Sequence, residues 1–231
     1  MKLEAIAQAH HFTLLFQLMC KSRFGETLVL PRFTEANKSF PDRYIFPVYW
    51  DRLDTVVTTA RSSGLSLGYD LRELDKLAES YREGLKLIKE DIGAETKTIC
   101  LGKYDIIYHE GKRITPFCVP RALKKYKRAT AAVVHLDDGN PHHTTLQMEY
   151  NNLTEDERRS LQQEREALWE DKICASKRPL IIVGTNHVVD DMYGLSERLR
   201  EKGIEISVVQ DTTPELRQKY KLLLSAIESI G

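Results

Sequence analysis

The sequence lacks the cysteine spacing that marks zinc knuckles and redox dithiols. Its four cysteines, Cys20, Cys100, Cys118 and Cys174, are widely separated, and none forms a CxxC pair. Paired cysteines at short spacing are the usual signature of both kinds of site. We therefore expect reduced, buried thiols in a cytoplasmic protein.

An excess of one charge and a long apolar run are also missing. Lysine plus arginine and aspartate plus glutamate both number 34, so the formal net charge is zero. No global field then attracts nucleic acid or a membrane, and such binding must come from a local patch. The N-terminal apolar stretch is interrupted by His10, His11, Thr13 and Gln17, so we expect neither a signal peptide nor a spanning helix.

Short catalytic motifs are equally scarce. The chain contains no GxSxG, HExxH or Walker A sequence, and Gly184 alone is far from a phosphate-binding loop. At 231 residues the chain is long enough to bury a sizeable core. Function must therefore be inferred from the fold and from clusters of side chains.

The clearest positive pattern lies in the C-terminal part of the chain. Residues 178–184 and 204–210 are apolar runs that predict strands, and residues 190–202 and 213–229 have helical patterns. This β-α-β-α unit is Rossmann-like and predicts the α/β class. Parallel strands joined by a crossover helix end at one edge of a sheet, where open α/β folds usually bind ligands.

Residues 1–150 are predicted to form a helical and β-rich body that begins with a helix over residues 3–20. Two antiparallel hairpins are predicted in its second half, because apolar runs flank Glu-Gly and Asp-Gly turn signals. Their strands are residues 98–108 with 113–118, and residues 131–136 with 144–150.

Residues 151–231 are predicted as a second part that could complete one sheet with the body. It consists of a connecting helix and the β-α-β-α unit. Thr154 and Glu157 have the spacing of a capping box at the start of the connecting helix. Because this helix is mostly charged, with Leu161, Leu168 and Trp169 as its few apolar anchors, we expect it on the surface.

The strongest helical periodicity lies within residues 71–92. Apolar side chains recur there at steps of three and four, at Leu71, Leu74, Ala78, Tyr81, Leu85, Ile88 and Ile92. Such a seam must be buried. We expect it to pack against the protein's own sheet, with a homodimer interface as the alternative, and we expect Gly93 to end the helix.

Polar side chains follow the two C-terminal strands at the predicted ligand-binding edge. They are Thr185, Asn186, His187, Asp190, Asp191 and Asp211. The carboxylates among them could approach one another, and clustered oxygen ligands suit Mg²⁺ or Mn²⁺. The alternative is that Asp190 or Asp191 caps the crossover helix and that Asp211 forms a turn.

An apolar strand running into Asp-x-x-Asn, at residues 133–140, resembles the first motif of the NYN and PIN-like nucleases, whose Asp begins a metal-binding acid cluster. Residues 181–184, the acidic stretch after them and residues 199–206 are similar to a later part of these families. The resemblance implies functional roles for Asp137, Asn140 and Asp190. Thr185-Asn186 stands where an Asp is expected, and an Asp-Gly hairpin turn is the alternative for residues 137–140.

Two further clusters are candidates for binding. If the second hairpin is symmetric, His135 lies opposite His143 with Asp137 on the same face, a set that can bind Zn²⁺ or Fe²⁺. The second cluster could grip a phosphate backbone or form a solvated helix face. It comprises Arg121, Lys124, Lys125, Tyr126, Lys127 and Arg128.

Two functions are consistent with these patterns. One is a metal-dependent phosphoester enzyme, or nuclease-like protein, acting on nucleic acid. Its catalytic residues and metal ligands would be Asp137, Asp190, Asp191 and Asp211, with Mg²⁺ or Mn²⁺ as cofactor. The other is a non-catalytic regulatory or interaction module that binds a small molecule or a protein partner. Both predictions are for a cytoplasmic protein that does not enter membranes.

Overall fold

A computed structural model of the protein describes residues 1–8, 25–29, 31–32, 45–111, 131–174, 176–211 and 213–229. The chain divides into two compact units. The sheet unit comprises Met1–Ala9 and Ala94–Thr213, and the helical unit comprises His10–Gly93 and Pro214–Gly231. No helix within the described ranges is both long and apolar enough to cross a membrane.

The sheet unit contains a five-stranded sheet. Its strands are β1 (Lys2–Gln8), β2 (Ile106–His109), β3 (Ala132–His135), β4 (Pro179–Gly184) and β5 (Glu205–Asp211). They lie in the order β3-β2-β4-β1-β5, and every pair of neighbours is parallel. Every residue of β4 is buried, as expected for a central strand of a parallel sheet whose two faces are both covered. The α/β class predicted from the sequence is confirmed.

The predicted antiparallel hairpins are wrong. Strands β2 and β3 pair in parallel, and residues 141–149 form a helix in place of the second strand of the second hairpin. Gly139 has a φ of +73°, and the Asn140 side chain accepts hydrogen bonds from the backbone N–H groups of His142 and His143. Asn140 thus caps a helix that Pro141 begins. The predicted strand 113–118 lies outside the described residues.

The first predicted helix is also wrong over its described part. Residues 2–8 form β1, and residues 9–24 lie outside the described residues. Leu3, Ala5 and Ala7 belong to one apolar cluster of the sheet unit, while Ile6 between them is also fully buried. Burial on both faces gives a continuous apolar run, and such a run does not distinguish a strand from a helix.

Seven α-helices lie within the described ranges. They are α1 (Ile45–Ser66), α2 (Leu71–Gly102), α3 (Pro141–Glu149), α4 (Glu155–Glu170), α5 (Thr185–Val188), α6 (Leu195–Glu201) and α7 (Thr213–Glu228). A π-helical turn spans Gly25–Val29 and a 3-10 turn spans Tyr150–Asn152. The capping box at the start of α4 is confirmed, with both hydrogen bonds between Thr154 and Glu157. Gly93 does not end α2, which continues to Gly102.

The helical unit has its own apolar core. The seam of residues 71–92 is buried there from Leu74 to Ile88, while Leu71 at its start is 46% exposed. Its partners within this unit include Val57 and Ala60 of α1 and Tyr220 and Ile227 of α7. The seam therefore packs against helices of its own fold, where we had expected the sheet.

Candidate functional site

Charged side chains collect where three neighbouring strands of the sheet end. Glu110 follows β2, Asp137 follows β3, and His187 lies in the short helix α5 that follows β4. We call the charge network these three side chains together with the acidic and basic side chains of α4 to α6, and Lys202 after α6, that join them in a chain of ion pairs. Its eight members are Glu110, Asp137, Arg165, Glu166, Glu170, His187, Arg198 and Lys202.

Asp137 is fully buried, at 0% exposure. Its Oδ1 accepts hydrogen bonds from Arg165 Nε and Trp169 Nε1, both at 2.8 Å. Its Oδ2 accepts from the Gly111 backbone N–H at 2.7 Å and from Arg165 Nη2 at 2.5 Å, and His143 Nδ1 lies 3.3 Å away. Burial opposes ionisation of Asp137, but the hydrogen bonds and charge of Arg165 outweigh it and hold the pKa below its usual value.

Glu110, which follows β2, is the most exposed carboxylate of the charge network, with a side chain that is 15% exposed. Its Oε2 accepts a hydrogen bond from the Gly184 backbone N–H at 2.6 Å, which ties it to the end of β4. Its Oε1 accepts from Arg165 Nη2 at 2.9 Å and lies 3.5 Å from His187 Nε2. One arginine thus holds the carboxylates that follow two adjacent strands.

His187 lies between two carboxylates. Its Nδ1 is 2.5 Å from Glu166 Oε1, and its Nε2 faces Glu110. Burial lowers the pKa of this imidazole, but the charges and hydrogen bonds of Glu110 and Glu166 outweigh burial and raise it to about 9. The aromatic rings of Trp169 and Tyr193 lie against it, with centroid distances of 4.9 and 5.3 Å. At neutral pH the buried group is therefore an imidazolium.

The outer part of the network continues along α4 to α6. Arg198 Nη2 donates to Glu166 Oε2 at 2.8 Å, and Arg198 Nε donates to Glu170. Lys202 Nζ lies 3.0 Å from Glu170 Oε2. With His187 protonated, four carboxylates face four cations, so the network is neutral as a whole.

The opposite face of the sheet carries two histidines at the same edge. His109 of β2 and His135 of β3 are partners in the strand register, with ring centroids 5.9 Å apart. His109 is only 4% exposed, and its Nδ1 has no hydrogen-bond partner within the part of the chain that the structure describes. Burial, followed by the neighbouring His135, lowers the pKa of His109 to about 4.

The structure does not bring the four predicted metal ligands together. Asp137 follows β3 and Asp211 ends β5, the two edge strands of the sheet, and four strand spacings separate these edges by roughly 19 Å. Asp190 is exposed in the turn before α6, and Asp191 Oδ1 accepts a hydrogen bond from the Ser196 backbone N–H at 2.9 Å. The crossover helix begins at Leu195 with Gly194 at its N-cap position, and the Asp191 side chain satisfies the backbone N–H of its second residue from the preceding turn.

No three His, Cys, Asp or Glu side chains form a group that could hold a metal ion among the residues with described positions. Coordination of Mg²⁺ or Mn²⁺ by the four aspartates stays a prediction. Asn140 is buried as a helix cap and donates to the Arg165 carbonyl at 3.1 Å. His143 does lie near Asp137, as predicted, but it does so from helix α3, and His135 contacts His109 instead.

The basic cluster of Arg121, Lys124, Lys125, Tyr126, Lys127 and Arg128 lies outside the described residues. Its proposed contact with nucleic acid therefore stays a prediction.

Sequence reasoning missed the residues of α4 that complete the network. This helix was expected on the surface, yet Arg165, Glu166, Trp169 and Glu170 are all buried. A signal was available, because these positions are spaced by one, three and one and fall on one helical face around a tryptophan. A charged face that includes a large aromatic residue indicates a helix that buries ion pairs.

No protein-family model matches the chain, and no match was found among curated proteins or among solved structures. The resemblance of residues 133–140 to NYN and PIN-like nucleases therefore has no support beyond the residues that suggested it. Asp137, the first residue of that motif, has its two oxygens occupied by Arg165, Trp169 and the Gly111 backbone. The function must be argued from the geometry of the sheet edge.

Proposed function

We propose that the protein is an enzyme that uses acid–base chemistry, with its active site where β2, β3 and β4 end. One observation carries this proposal. Glu110 is a partly exposed carboxylate held by the Gly184 backbone N–H, Arg165 and His187, whereas the other three carboxylates of the charge network are buried. Ligands of open α/β sheets bind outside the carboxyl ends of the strands, which is where Glu110 lies.

Stability alone is a poor reason for such a network. Removing charges from water costs several kcal/mol per ion, and replacing a buried ion pair by apolar side chains is often neutral or stabilising. Carboxylates and imidazoles with shifted pKa values gather at active sites, where the shifts match a task. A fixed set of charges also lets a catalytic group keep its orientation during the reaction.

The contacts suggest a role for each group. Glu110 is the group that exchanges a proton with the substrate, because it is the most exposed carboxylate of the charge network. His187 is a positioning residue that sets the charge around Glu110 and is itself oriented by Glu166. Arg165 positions Glu110 through Nη2, and Asp137 fixes Arg165.

Phosphoester hydrolysis on nucleic acid, assisted by Mg²⁺ or Mn²⁺, is the specific reaction that we propose to test first. Its support comes from the sequence, namely the basic cluster at residues 121–128 and the resemblance of residues 133–140 to the first motif of the NYN and PIN-like nucleases; the structure does not add to it, because Asp137, Asp190, Asp191 and Asp211 do not lie together. The competing proposal is a non-catalytic module that binds a small molecule or protein, in which Glu110 would be a ligand contact. A homodimer through residues 71–92 has less support, because that seam is mostly buried within one chain.

The test is a turnover assay with bis(4-nitrophenyl) phosphate and a labelled single-stranded oligonucleotide, with and without Mg²⁺ or Mn²⁺, and with 4-nitrophenyl acetate for acyl transfer. We expect Glu110→Gln to lose about 10²- to 10⁴-fold in turnover, the usual contribution of a general acid or base. Glu197→Gln, a change on the exposed side of α6, is the matched control and should keep full activity. An equally active Glu110→Gln protein would rule out the proposed role, and failure of the parent on all substrates would favour the binding module.

A further inference from the structure

Strand β5 lies at one edge of the sheet. Among the described strands it pairs with β1 alone, and none of them lies on its other side. The outer side of an edge strand presents backbone N–H and C=O groups that can pair with another chain, and proteins often block such edges with lysine or proline. The segment Glu205–Asp211 contains neither residue. Strand β5 therefore lacks two of the usual protections against strand pairing.

The backbone of β5 shows which of its residues face the outer side. The Glu205 N–H donates to the Met1 carbonyl at 2.8 Å, so the polar backbone groups of Glu205 point towards β1. The polar groups of successive residues in a parallel ladder point alternately to the two sides of the strand. Those of Ser207 therefore also point towards β1, whereas those of Ile206 and Val208 point outwards. The register of β5 against β1 shifts only after Val208.

The same two residues carry apolar side chains on one face of the strand. Residues two apart in a strand share a face, and Ile206 packs against the apolar cluster of the sheet unit. Val208 is 40% exposed, and Val189, which follows α5, is 43% exposed. Together with Arg200 of α6 they line a groove of about 360 Å³ beside the strand. Outward backbone groups beside such a groove favour the addition of a strand, because the backbone supplies hydrogen bonds and the groove accepts alternate side chains.

We infer that β5 pairs in antiparallel orientation with β5 of a second copy of this chain, around a twofold axis at Ser207. In a hydrogen-bonded antiparallel pair, two opposite residues exchange both of their N–H···O bonds, so both must point outwards. This register meets that condition, because Ile206 lies opposite Val208 of the partner subunit. Each Val208 then packs beside Ile206 on the groove side of the sheet. A twofold interface of this kind is self-complementary, as in most homodimers.

The side chains of β5 favour this register over its neighbours. A slip of one residue places outward groups opposite groups that already bond to β1. A slip of two residues in one direction places Glu205 opposite Asp211, and like charges directly opposite each other are destabilising. In the other direction it requires Ile204, which is buried and precedes the strand. With the axis at Ser207, Glu205 lies opposite Val209 and no two carboxylates are opposed. The sequence of β5 is thus complementary to itself.

The first test is sedimentation velocity of the full chain over a range of concentrations. Pairing of two short strands is small beside a standard interface of about 1,600 Å², so we expect a dimer with a dissociation constant on the order of 10 µM. Val208→Lys should weaken the dimer by at least about tenfold, because a lysine on an edge strand opposes pairing. Met148→Lys, at a 79% exposed apolar position of α3, is the matched control and should dimerise like the parent.

A second measurement tests the register and covers the case in which Val208→Lys fails to fold. Ser207 would lie opposite its own copy in a pair without hydrogen bonds, where the Cα atoms are about 4.5 Å apart, a distance that suits a disulfide. Ser207→Cys should therefore form a linked dimer on mild oxidation, in which mass spectrometry identifies the introduced cysteine joined to its own copy. Glu205→Cys should not, because its two copies would lie roughly 13 Å apart along the strands.

Three results would each overturn the inference. The first is a parent protein that stays monomeric at about tenfold the expected dissociation constant. The second is Val208→Lys dimerising as tightly as Met148→Lys, which would place the interface elsewhere, and the third is Ser207→Cys cross-linking no better than Glu205→Cys. Glu110→Gln should dimerise like the parent, so a loss of its turnover alone would concern the proposed function and leave this interface standing.

Discussion

The apolar core of the helical unit and the charge network of the sheet unit are two buried regions built from opposite chemistry. In the helical unit, Leu85, Ile88 and Val57 bury apolar side chains against one another, and the driving force is the transfer of apolar surface from water. In the sheet unit, Asp137 and Glu166 are equally buried, but each is paired with an arginine. The stability of the first region depends on the volume and shape of its side chains, whereas the stability of the second depends on the presence of every charged partner.

This difference decides how each region responds to change. An apolar core tolerates swaps that conserve volume and loses stability in proportion to the atoms removed. When a buried ion network loses one member, the charges that it paired with stay buried without a partner, and in a low dielectric this is strongly destabilising. Mutation, pH and salt should therefore distinguish the two regions.

Arg165→Leu should have the largest effect on stability. Arg165 pairs with both Asp137 and Glu110, so its loss leaves two carboxylates without their main cation, and breaking a buried pair in this way costs about 3–5 kcal/mol. Urea unfolding would be followed by tryptophan fluorescence in a Trp50→Phe background, where Trp169 is the remaining tryptophan. Arg159→Leu, an exposed change on the same helix, should stay within about 0.5 kcal/mol of the parent. If Arg165→Leu also lowered the free energy of unfolding by no more than about 0.5 kcal/mol, the network would contribute little to stability.

Leu85→Ala tests the other region. Leu85 is 5% exposed in the core of the helical unit, and its truncation should cost roughly 2–5 kcal/mol, because a cavity adds to the lost transfer free energy. The cost should be the same at pH 6 and pH 9, since none of its apolar neighbours titrates there. Circular dichroism during urea unfolding measures it. Leu71→Ala, at the exposed start of the same helix, is the control, and equal losses for the two variants would contradict burial of the seam.

The network should also make stability depend on pH. His187 has its pKa raised from 6.5 to about 9 by Glu110 and Glu166, with Arg165, Arg198 and Tyr193 as the other polar groups around it. A raised pKa in the folded state means that this stabilisation is complete below pH 6.5 and is lost as pH rises towards 9. We expect a fall of roughly 3.5 kcal/mol, since the two pKa values differ by about 2.5 and a difference of one corresponds to roughly 1.4 kcal/mol.

Urea unfolding of the parent and of His187→Gln at several pH values between 6 and 9.5 measures this loss. The variant should show a flatter dependence, because glutamine does not titrate. Parallel curves for the two proteins would mean that His187 does not carry the imidazolium charge in the folded state.

The parts of the fold that were predictable are those where the hydrophobic pattern fits only one kind of element. The run of residues 179–184 and the periodic seam of residues 71–92 each gave the right element, because their hydrophobic patterns agree with their burial. The turn at residues 137–140 failed because Asp-Gly between apolar runs signals a hairpin, and only Asn140 followed by Pro141 marks a helix start instead. The strand at residues 2–8 failed because its apolar pattern continues to residue 20 in the sequence, and a run of that length favours a helix over a strand.

The site was harder to predict than the fold because its contacts join residues far apart in the chain. Asp137 and His187 could be placed at a sheet edge from strand patterns, but Arg165 and Glu166 come from a helix whose composition is typical of a surface. Charged residues are exposed on average. Ion pairs between residues that are distant in the chain produce no regular spacing in the sequence by which they could be recognised. The positions of Asp190 and Asp211 show the converse, since carboxylates that follow neighbouring elements in the chain need not meet.

Thr154→Ala should have the smallest effect, and it separates polarity from burial. Thr154 caps α4, the helix that carries Arg165, but its contacts with Glu157 are exposed to solvent. Loss of such a cap costs about 1 kcal/mol, whereas Thr154→Ser keeps the hydroxyl and should cost almost nothing. The urea experiment used for Arg165→Leu measures both variants. If Thr154→Ala costs as much as Arg165→Leu, formation of α4 itself limits stability and the contrast between the two regions does not come from buried charge. If Thr154→Ala costs several-fold less than Arg165→Leu, polar contacts contribute to stability mainly where water is excluded.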